Sequence, residues 1–409
     1  MLLVLRPRTH HLISAVSKTP LPAFFSRKYS CTTLDDNDDN GHNDKSTQQQ
    51  QMTIENYDAM KYRKWVQVKG TCEDEKNKFS VMSFNLLSRH YIWPHVYKDL
   101  SSEYLDWNGH RFPLINKTIQ QFQCDIICLQ EMEYHLYKHF WSKQFPSSEY
   151  TSFYVQKSSI FQSNKDDKRD GVGIFVNATR FDVLKEKRIN FGQLILKDKK
   201  KYQYTKDLMN RLLPRNTVAL ILKLYDKQAD KIVYVTNTHL YWSPQYNDVK
   251  VLQTKLMLDQ LKKFVKEVNA SIIFLGDLNS NHKSDVFNLI TKETLDTLLS
   301  QAFAGKNYGV NNALIDKQGK VENPIPLKSA YEKLLAANQL RFTSFAPSFA
   351  DVLDHIFVSD DIEVHSILGG VDESYISSLP VKGFPNEQFP SDHIPIIAEL
   401  SYERGASSF

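Results

Sequence analysis

The sequence predicts an α/β or α+β domain of roughly 350 residues. Short apolar segments bounded by turn residues recur along the chain, interleaved with a few helical periodicities. The composition is ordinary for a globular protein, with 41% hydrophobic and 24% charged residues among 409. No window of about 20 residues is apolar and uncharged throughout, so no membrane-spanning helix is expected. A wholly disordered, collagen-like or multi-span membrane protein is excluded.

Residues 1–34 carry Arg6, Arg8, Lys18, Arg27 and Lys28 and no acid. Basic, Ser/Thr-rich and acid-free composition predicts a mitochondrial leader. Arg27-Lys28-Tyr29-Ser30 resembles a processing site, with cleavage after Tyr29. Residues 35–53 begin DDNDDNGHND and read as a disordered polar linker. The folded domain is expected over 54–409. Removing the five basic residues of 1–34 from 51 leaves 46 against 47 acids, a net charge of −1 for residues 35–409. A remainder so near neutral does not grip any phosphate backbone through a basic surface. Four cysteines without CxxC pairs argue against a disulfide framework or a zinc site.

Residues 79–84 read as an apolar-rich strand. Pro113 suits a first helical turn, and Ile115, Ile119 and Phe122 follow at helical spacing. Residues 126–129 read as a buried strand, with further strands at 171–176, 217–224 and 232–236. A helix over 248–268 places Met257, Leu261, Phe264, Val265 and Val268 on one face. Strands follow at 272–275, 352–358 and 394–400, and the turn-rich stretch 305–326 reads as a surface insertion.

Polar groups capable of chemistry follow these strands directly. They are Asn85, Glu131, His239, Asp277 with Asn279, Asp392 with His393, and Asp354 with His355. Each alone fits a turn, a cap or a satisfied structural residue. Together they are carboxylates, carboxamides and histidines on strand ends, where catalytic groups collect. That set fits a hard cation such as Mg²⁺ or Mn²⁺, which needs one or two protein carboxylates plus phosphate oxygens. Glu131 and Asp277 supply that minimum, and the histidines suit acid/base or charge-stabilising work on a phosphate ester. No GxSxG, GxxxxGK[ST] or GxGxxG sequence is present, so a serine hydrolase fits poorly and the NTPase and dinucleotide-fold readings lack support.

The ordered motifs resemble the endonuclease/exonuclease/phosphatase superfamily. CDIICLQEME (124–133), NTHLYWSPQYNDVKVLQTKLML (237–258), FADVLDHIFVS (349–359) and FPSDHIPIIAEL (389–400) resemble its deadenylase-like branch, that of nocturnin, Angel and the fungal Ngl-type RNA exonucleases. The resemblance covers about residues 79–402 and implies a four-layer α/β sandwich, two mixed sheets face to face with helices outside. It implies Mg²⁺-dependent hydrolysis of phosphodiesters at a single-stranded RNA 3′ end, releasing 5′-nucleotides, with poly(A) preference as one form. By position, Glu131 binds the metal with Asn85 beside it. Asp277 activates or holds water, on a second metal if two are used, and Asn279 orients the phosphate. His239 stabilises phosphoryl charge. His393 is general base or phosphate clamp, held by Asp392, and Asp354 orients one of the histidines. Pro244 and Phe349 match positions that contact the terminal adenine.

Two departures stand out. Asp354-His355 replaces the frequent Asp-Tyr pair, and Ser344 stands where tail-specific deadenylases carry Asn. The second weakens the expectation of strict poly(A) preference. Without leucine-rich repeats, docking to a large deadenylase complex is not expected, and the chain is expected to act as a monomer. The alternative is a phosphatase or phosphodiesterase on a small adenine-containing nucleotide. A catalytically dead RNA-binding scaffold is disfavoured, because all the motif residues are present.

Overall fold

The computed structural model describes residues 54–70, 76–145, 149–160 and 169–403. The expected leader and linker lie outside the described residues. Seventeen strands form among the described residues: β1 (Arg63–Gln67), β2 (Lys78–Asn85), β3 (Ile126–Glu133), β4 (Tyr150–Gln156), β5 (Asp170–Asn177), β6 (Phe181–Asn190), β7 (Val218–Asp226), β8 (Lys231–His239), β9 (Ser271–Asp277), β10 (Thr294–Asp296), β11 (Lys320–Glu322), β12 (Lys328–Ser329), β13 (Ser344–Ala346), β14 (Phe349–Asp351), β15 (Asp354–Val358), β16 (Ile362–Val371) and β17 (Ile396–Tyr402).

Two large sheets result. One runs β1-β16-β17-β2-β3-β5-β4 and the other β12-β15-β9-β8-β7-β6. Each is mixed: β2 and β3 pair in parallel, as do β8 and β9, and every other pairing is antiparallel. The sheets stack because alternate side chains of each are apolar. Val81, Ile126, Cys128 and Ile174 of the first sheet pack with Leu220, Val235, Ile273 and Leu275 of the second. Each fully buried side chain of this size contributes about 1.5–3 kcal/mol.

The outer faces are covered by helices. Helix α1 (Phe112–Phe122) lays Ile115 and Ile119 against Met82, Phe84 and Leu129. It starts with Pro113 in its first turn and stops at Gln123, which is left-handed at φ 43°. Helices α2 (Asn247–Phe264) and α3 (Asp285–Thr291) cover the second sheet through Leu252, Leu256 and Leu289, which pack with Ile221 and Phe274. The four layers match the sandwich that the family resemblance implied.

Three sequence expectations need correction. The 248–268 helix ends at Phe264, because Val265 turns extended at ψ 130°, and Val268 is 88% exposed. The stretch 305–326 is not merely a surface insertion. Leu314, Ile315 and Val321 are buried in the outer core, and β11 pairs with β10. Strands β1, β4, β6 and β16 were not foreseen. β6 (FDVLKEKRIN) alternates poorly because it is a charged edge strand, which discourages pairing with another chain.

Candidate active site

The alternation that builds the core also aims the site. Val81 on β2, Cys128 on β3, Val235 on β8 and Leu275 on β9 point between the sheets. Residues an even number of positions further on share that face: Asn85, Gln130, His239 and Asp277. β15 runs antiparallel to β9 with Asp354 opposite Asp277, so Asp354 reaches the same edge from its own N-terminal end. Below that edge the sheets are joined by polar side chains. Gln130 Nε2 donates to Asn237 Oδ1 at 2.8 Å, and Asn237 Nδ2 donates to the carbonyls of Leu129 at 3.0 Å and Gly173 at 2.8 Å.

Gly276 sets the approach of β9 to β8. Its φ is 141°, and a Cβ there would lie 2.0 Å from the Thr238 carbonyl oxygen, so no larger residue fits. Glu131 is re-aimed by a different device. The register of β3 against β5 breaks between Leu129 and Met132, and Glu131 adopts φ 55°. This bulge turns its carboxylate into the cleft. Glu131 Oε2 accepts from the Ser88 amide at 2.7 Å, and Oε1 accepts from Asn85 Nδ2 at 3.1 Å. The same Nδ2 donates to Asp277 Oδ2 at 2.9 Å, while Asn85 Oδ1 accepts from the Leu87 amide at 3.0 Å. Asn85 therefore ties the two carboxylates together through its nitrogen, and its oxygen faces away from them.

The loop that carries His393 is pinned on both sides. Ser391 Oγ donates to the Asn85 carbonyl at 2.8 Å, and the Phe345 amide donates to the Asp392 carbonyl at 2.7 Å. His393 Nδ1 meets Asp354 Oδ2 at 2.7 Å, and its Nε2 lies 3.8 Å from Asp277 Oδ2. The partner of His393 is thus Asp354 and not its neighbour Asp392. The Asp392 carboxylate instead accepts from the Tyr97 hydroxyl at 2.8 Å. Burial pulls the His393 imidazole down, but the Asp354 and Asp277 charges outweigh it and hold the group well above the ordinary histidine range.

His239 has the opposite setting. Its Nδ1 lies 3.3 Å from Lys157 Nζ, and its Nε2 lies 3.5 Å from Asp277 Oδ2. Lys157 stays charged through Asp170, 2.7 Å away, which overcomes its burial. Burial, then the Lys157 charge, hold His239 well below the ordinary range. With an ammonium donating to Nδ1, the neutral ring carries its proton on Nε2, facing Asp277. Sequence reasoning missed Lys157, Asp170 and Tyr97.

Asn279 has φ 47°. Its backbone amide donates to Asp277 Oδ1 at 2.8 Å, and its side-chain nitrogen donates to the Leu240 carbonyl at 3.0 Å. Behind it, the buried Lys250 donates to the Asn279 carbonyl at 2.6 Å. His355 points to the outer face of its sheet, where it packs on Phe287 and bonds the Ser280 carbonyl at 2.8 Å. The His-for-Tyr departure therefore lies away from the cleft. Phe349 is 48% exposed on the β13–β14 hairpin, and Pro244 is exposed in the turn beyond His239.

The residues present fit a divalent cation. Asp277 and Asp354 bring carboxylate oxygens within 4.8 Å of each other beside the His393 ring, and Asp354 Oδ1 is buried without a hydrogen-bond partner. Burial pushes Glu131 up to about 8, and burial together with Asp354 pushes Asp277 up to about 6. Carboxylates so crowded and desolvated gain from a hard cation among them.

The family described as Endonuclease/Exonuclease/phosphatase matches residues 82–393. The chain is 33% identical to the CCR4-Not complex 3′-5′-exoribonuclease subunit Ccr4 of Candida albicans over 345 residues, 81% of this chain and 42% of that protein. Against the same-named protein of Saccharomyces cerevisiae it is 32% identical over 340 residues, 80% of this chain and 39% of that one. The chain spans about two fifths of the length of these curated relatives. Among solved structures, ANGEL2, described as a 2′,3′-cyclic phosphatase, superposes with a TM-score of 0.67 at 24% identity, covering 84% of this chain and 99% of its own. The human nocturnin catalytic domain follows at 0.54 and 19%, covering 83% and 97%. The chain therefore belongs to the endonuclease/exonuclease/phosphatase family, in its deadenylase-like branch.

Proposed function

We propose that this chain is a divalent-metal-dependent exoribonuclease that shortens single-stranded RNA from its 3′ end and releases 5′-nucleotides. One observation carries the reading. Asp277 stands between two histidines of opposite charge state, 3.5 Å from one and 3.8 Å from the other, with Glu131 tied beside it. The activity named for the Ccr4 relatives supports the choice of RNA and of polarity.

Glu131 and Asp277 would hold Mg²⁺ or Mn²⁺. The bound cation supplies charge neutralisation at the phosphate and a more acidic water. The His393 imidazolium, held by Asp354, faces developing negative charge on the phosphoryl oxygens. His239 donates its Nε2 proton to a second phosphoryl oxygen. Because His393 is held protonated, Asp277 is the group left to take the proton of the attacking water. Asn279 fixes the Asp277 carboxylate through its backbone amide.

Pro244 and Phe349 are free to contact the terminal base. Ser344 is buried, with its backbone bridged to His393, and gives adenine no carboxamide partner. We infer activity on 3′ ends beyond poly(A). The composition of residues 1–34 supports mitochondrial targeting. All the groups invoked come from one chain, so a monomer suffices.

The test uses the purified chain with Mg²⁺, a 5′-labelled RNA of mixed sequence ending in an A-tail, and Glu131→Gln as control. A ladder shortening from the 3′ end, absent with the variant, is expected. Intact RNA would overturn the reading. Phosphate release from an adenine dinucleotide or from an RNA 2′,3′-cyclic phosphate would then identify the small-nucleotide alternative.

A further inference from the structure

Two tryptophans lie in the open beside the cleft. Trp93 is 38% exposed and Trp242 is 56% exposed, yet their rings meet at 5.8 Å and 66°. Trp93 also lies parallel to His95 at 6.0 Å, and Tyr241 stands 6.1 Å from Trp242. The rings come from separate segments, the short helical turn Pro94–Tyr97 with its cap Trp93 between β2 and α1, and the turn after β8. A large aromatic surface left in water at such a junction marks a binding surface.

Contacts tie this cluster to the catalytic groups. Tyr91 packs on Trp93 at 6.2 Å. Its ring lies 5.3 Å from Lys157 Nζ, and its hydroxyl donates to Asp170 at 2.9 Å. That lysine is the one bonded to His239, and Trp242 follows His239 by three residues. A cation flanks the other side. Arg215 lies 4.7 Å over the Tyr241 ring and donates to its hydroxyl at 2.7 Å. Its other hydrogen bond runs to the Asn210 carbonyl, and no carboxylate pairs with it among the described residues. Aromatic rings beside a cation without a carboxylate partner suit a base next to a phosphate.

We propose that Trp93 and Trp242 form a stacking platform for a nucleobase on the 5′ side of the scissile phosphate, with Arg215 serving the adjoining backbone phosphate. This rests on the exoribonuclease reading, since an exonuclease must hold the chain that it keeps. Every base has a π-face, so the platform is indifferent to sequence. It differs in this from a contact that selects the terminal adenine.

The test titrates the Glu131→Gln protein, which binds without cutting, into 5′-fluorescein-labelled oligoadenylate, oligouridylate and oligocytidylate and follows the anisotropy of the label. Adding Trp93→Ala and Trp242→Ala should weaken all three complexes by about 5- to 100-fold. Trp93→Phe with Trp242→Phe should restore most of the affinity. In the active enzyme the alanine pair should raise KM for RNA and leave kcat unchanged. Equal RNA affinity with and without the rings would overturn the platform alone. Failure of the parent protein to bind any of the three RNAs would overturn the exoribonuclease reading and the platform with it.

Discussion

Replacing Glu131 with Gln should change the pH dependence of stability in a way that reverses sign. Burial pushes the Glu131 carboxyl from 4.5 up to about 8, against the pull of the Lys157 ammonium. That gap corresponds to roughly 5 kcal/mol. Water reaches the half-buried side chain and roughly halves the figure, to about 2–3 kcal/mol. The folded protein binds this proton more tightly than the unfolded chain does. The cost of the charged form is therefore absent below about 4.5, grows as pH rises, and is complete above about 8.

Gln escapes that cost but gives up a contact. Two donors face the carboxylate, Asn85 Nδ2 at 3.1 Å and the Ser88 amide at 2.7 Å, and a carboxamide can accept from only one of them. The orphaned donor costs about 1–2 kcal/mol at every pH. The metal-free variant should thus be about 1 kcal/mol less stable than the parent near pH 5 and about 1 kcal/mol more stable near pH 8. Denaturant unfolding of the chelated proteins at both pH values measures this. A stability difference of the same sign and size at both would refute the burial argument. With Mg²⁺ added, the parent should gain stability by mass action and the inactive variant should not.

Asp354→Asn removes the charge that keeps His393 protonated, so the alkaline limb of kcat should move to lower pH and kcat should fall about 10²- to 10⁴-fold. An alkaline limb that stays in place would show that His393 is not the group read there. His393 in the parent favours folding while protonated and loses that contribution as pH rises through its elevated folded value, so Asp354→Asn should also flatten stability on the alkaline side. Calorimetric titration should show Mg²⁺ affinity rising up to about tenfold per pH unit between about 6 and about 8, as Glu131 gives up its proton. Asp226→Ala breaks the buried pair with Arg180, 2.8 Å, and strands its cation between the sheets. Stability should drop about 3–5 kcal/mol while turnover per folded molecule is kept, and a selective loss of turnover would contradict the separation of that pair from the site.

The strand ends were legible because apolar alternation stops abruptly at a polar group. Asn85, His239 and Asp277 each continue the inward face of their strand by one period. What sequence could not supply was the partner across the sheet. Asp392 sits next to His393, and adjacency suggested that pair. Asp392 lies in a bend before β17 and turns to Tyr97, while Asp354 arrives from 39 positions away. Lys157 gave no signal, because β4 is half-buried along most of its length and shows no alternation, and the lysine matters only through Asp170 on β5. The exposed tryptophans were silent for a related reason. A single aromatic in a loop means little until a second one meets it.

The two histidines show why residue type underdetermines role. His239 ends β8 and His393 lies just before β17, both are buried, and both face the same Asp277 oxygen. Burial, with an ammonium behind it, keeps one neutral, and carboxylates around the other outweigh its burial and keep it charged. A cleft with two neutral imidazoles would lack a cation for the phosphoryl oxygens. A cleft with two imidazolium rings would hold Asp277 ionised but weaken it as a proton acceptor and repel a metal. One of each leaves a donor, a cation and a base around one point. The residues that create the asymmetry, Lys157 with Asp170 and Asp354, are therefore as much a part of the chemistry as the imidazoles that they tune.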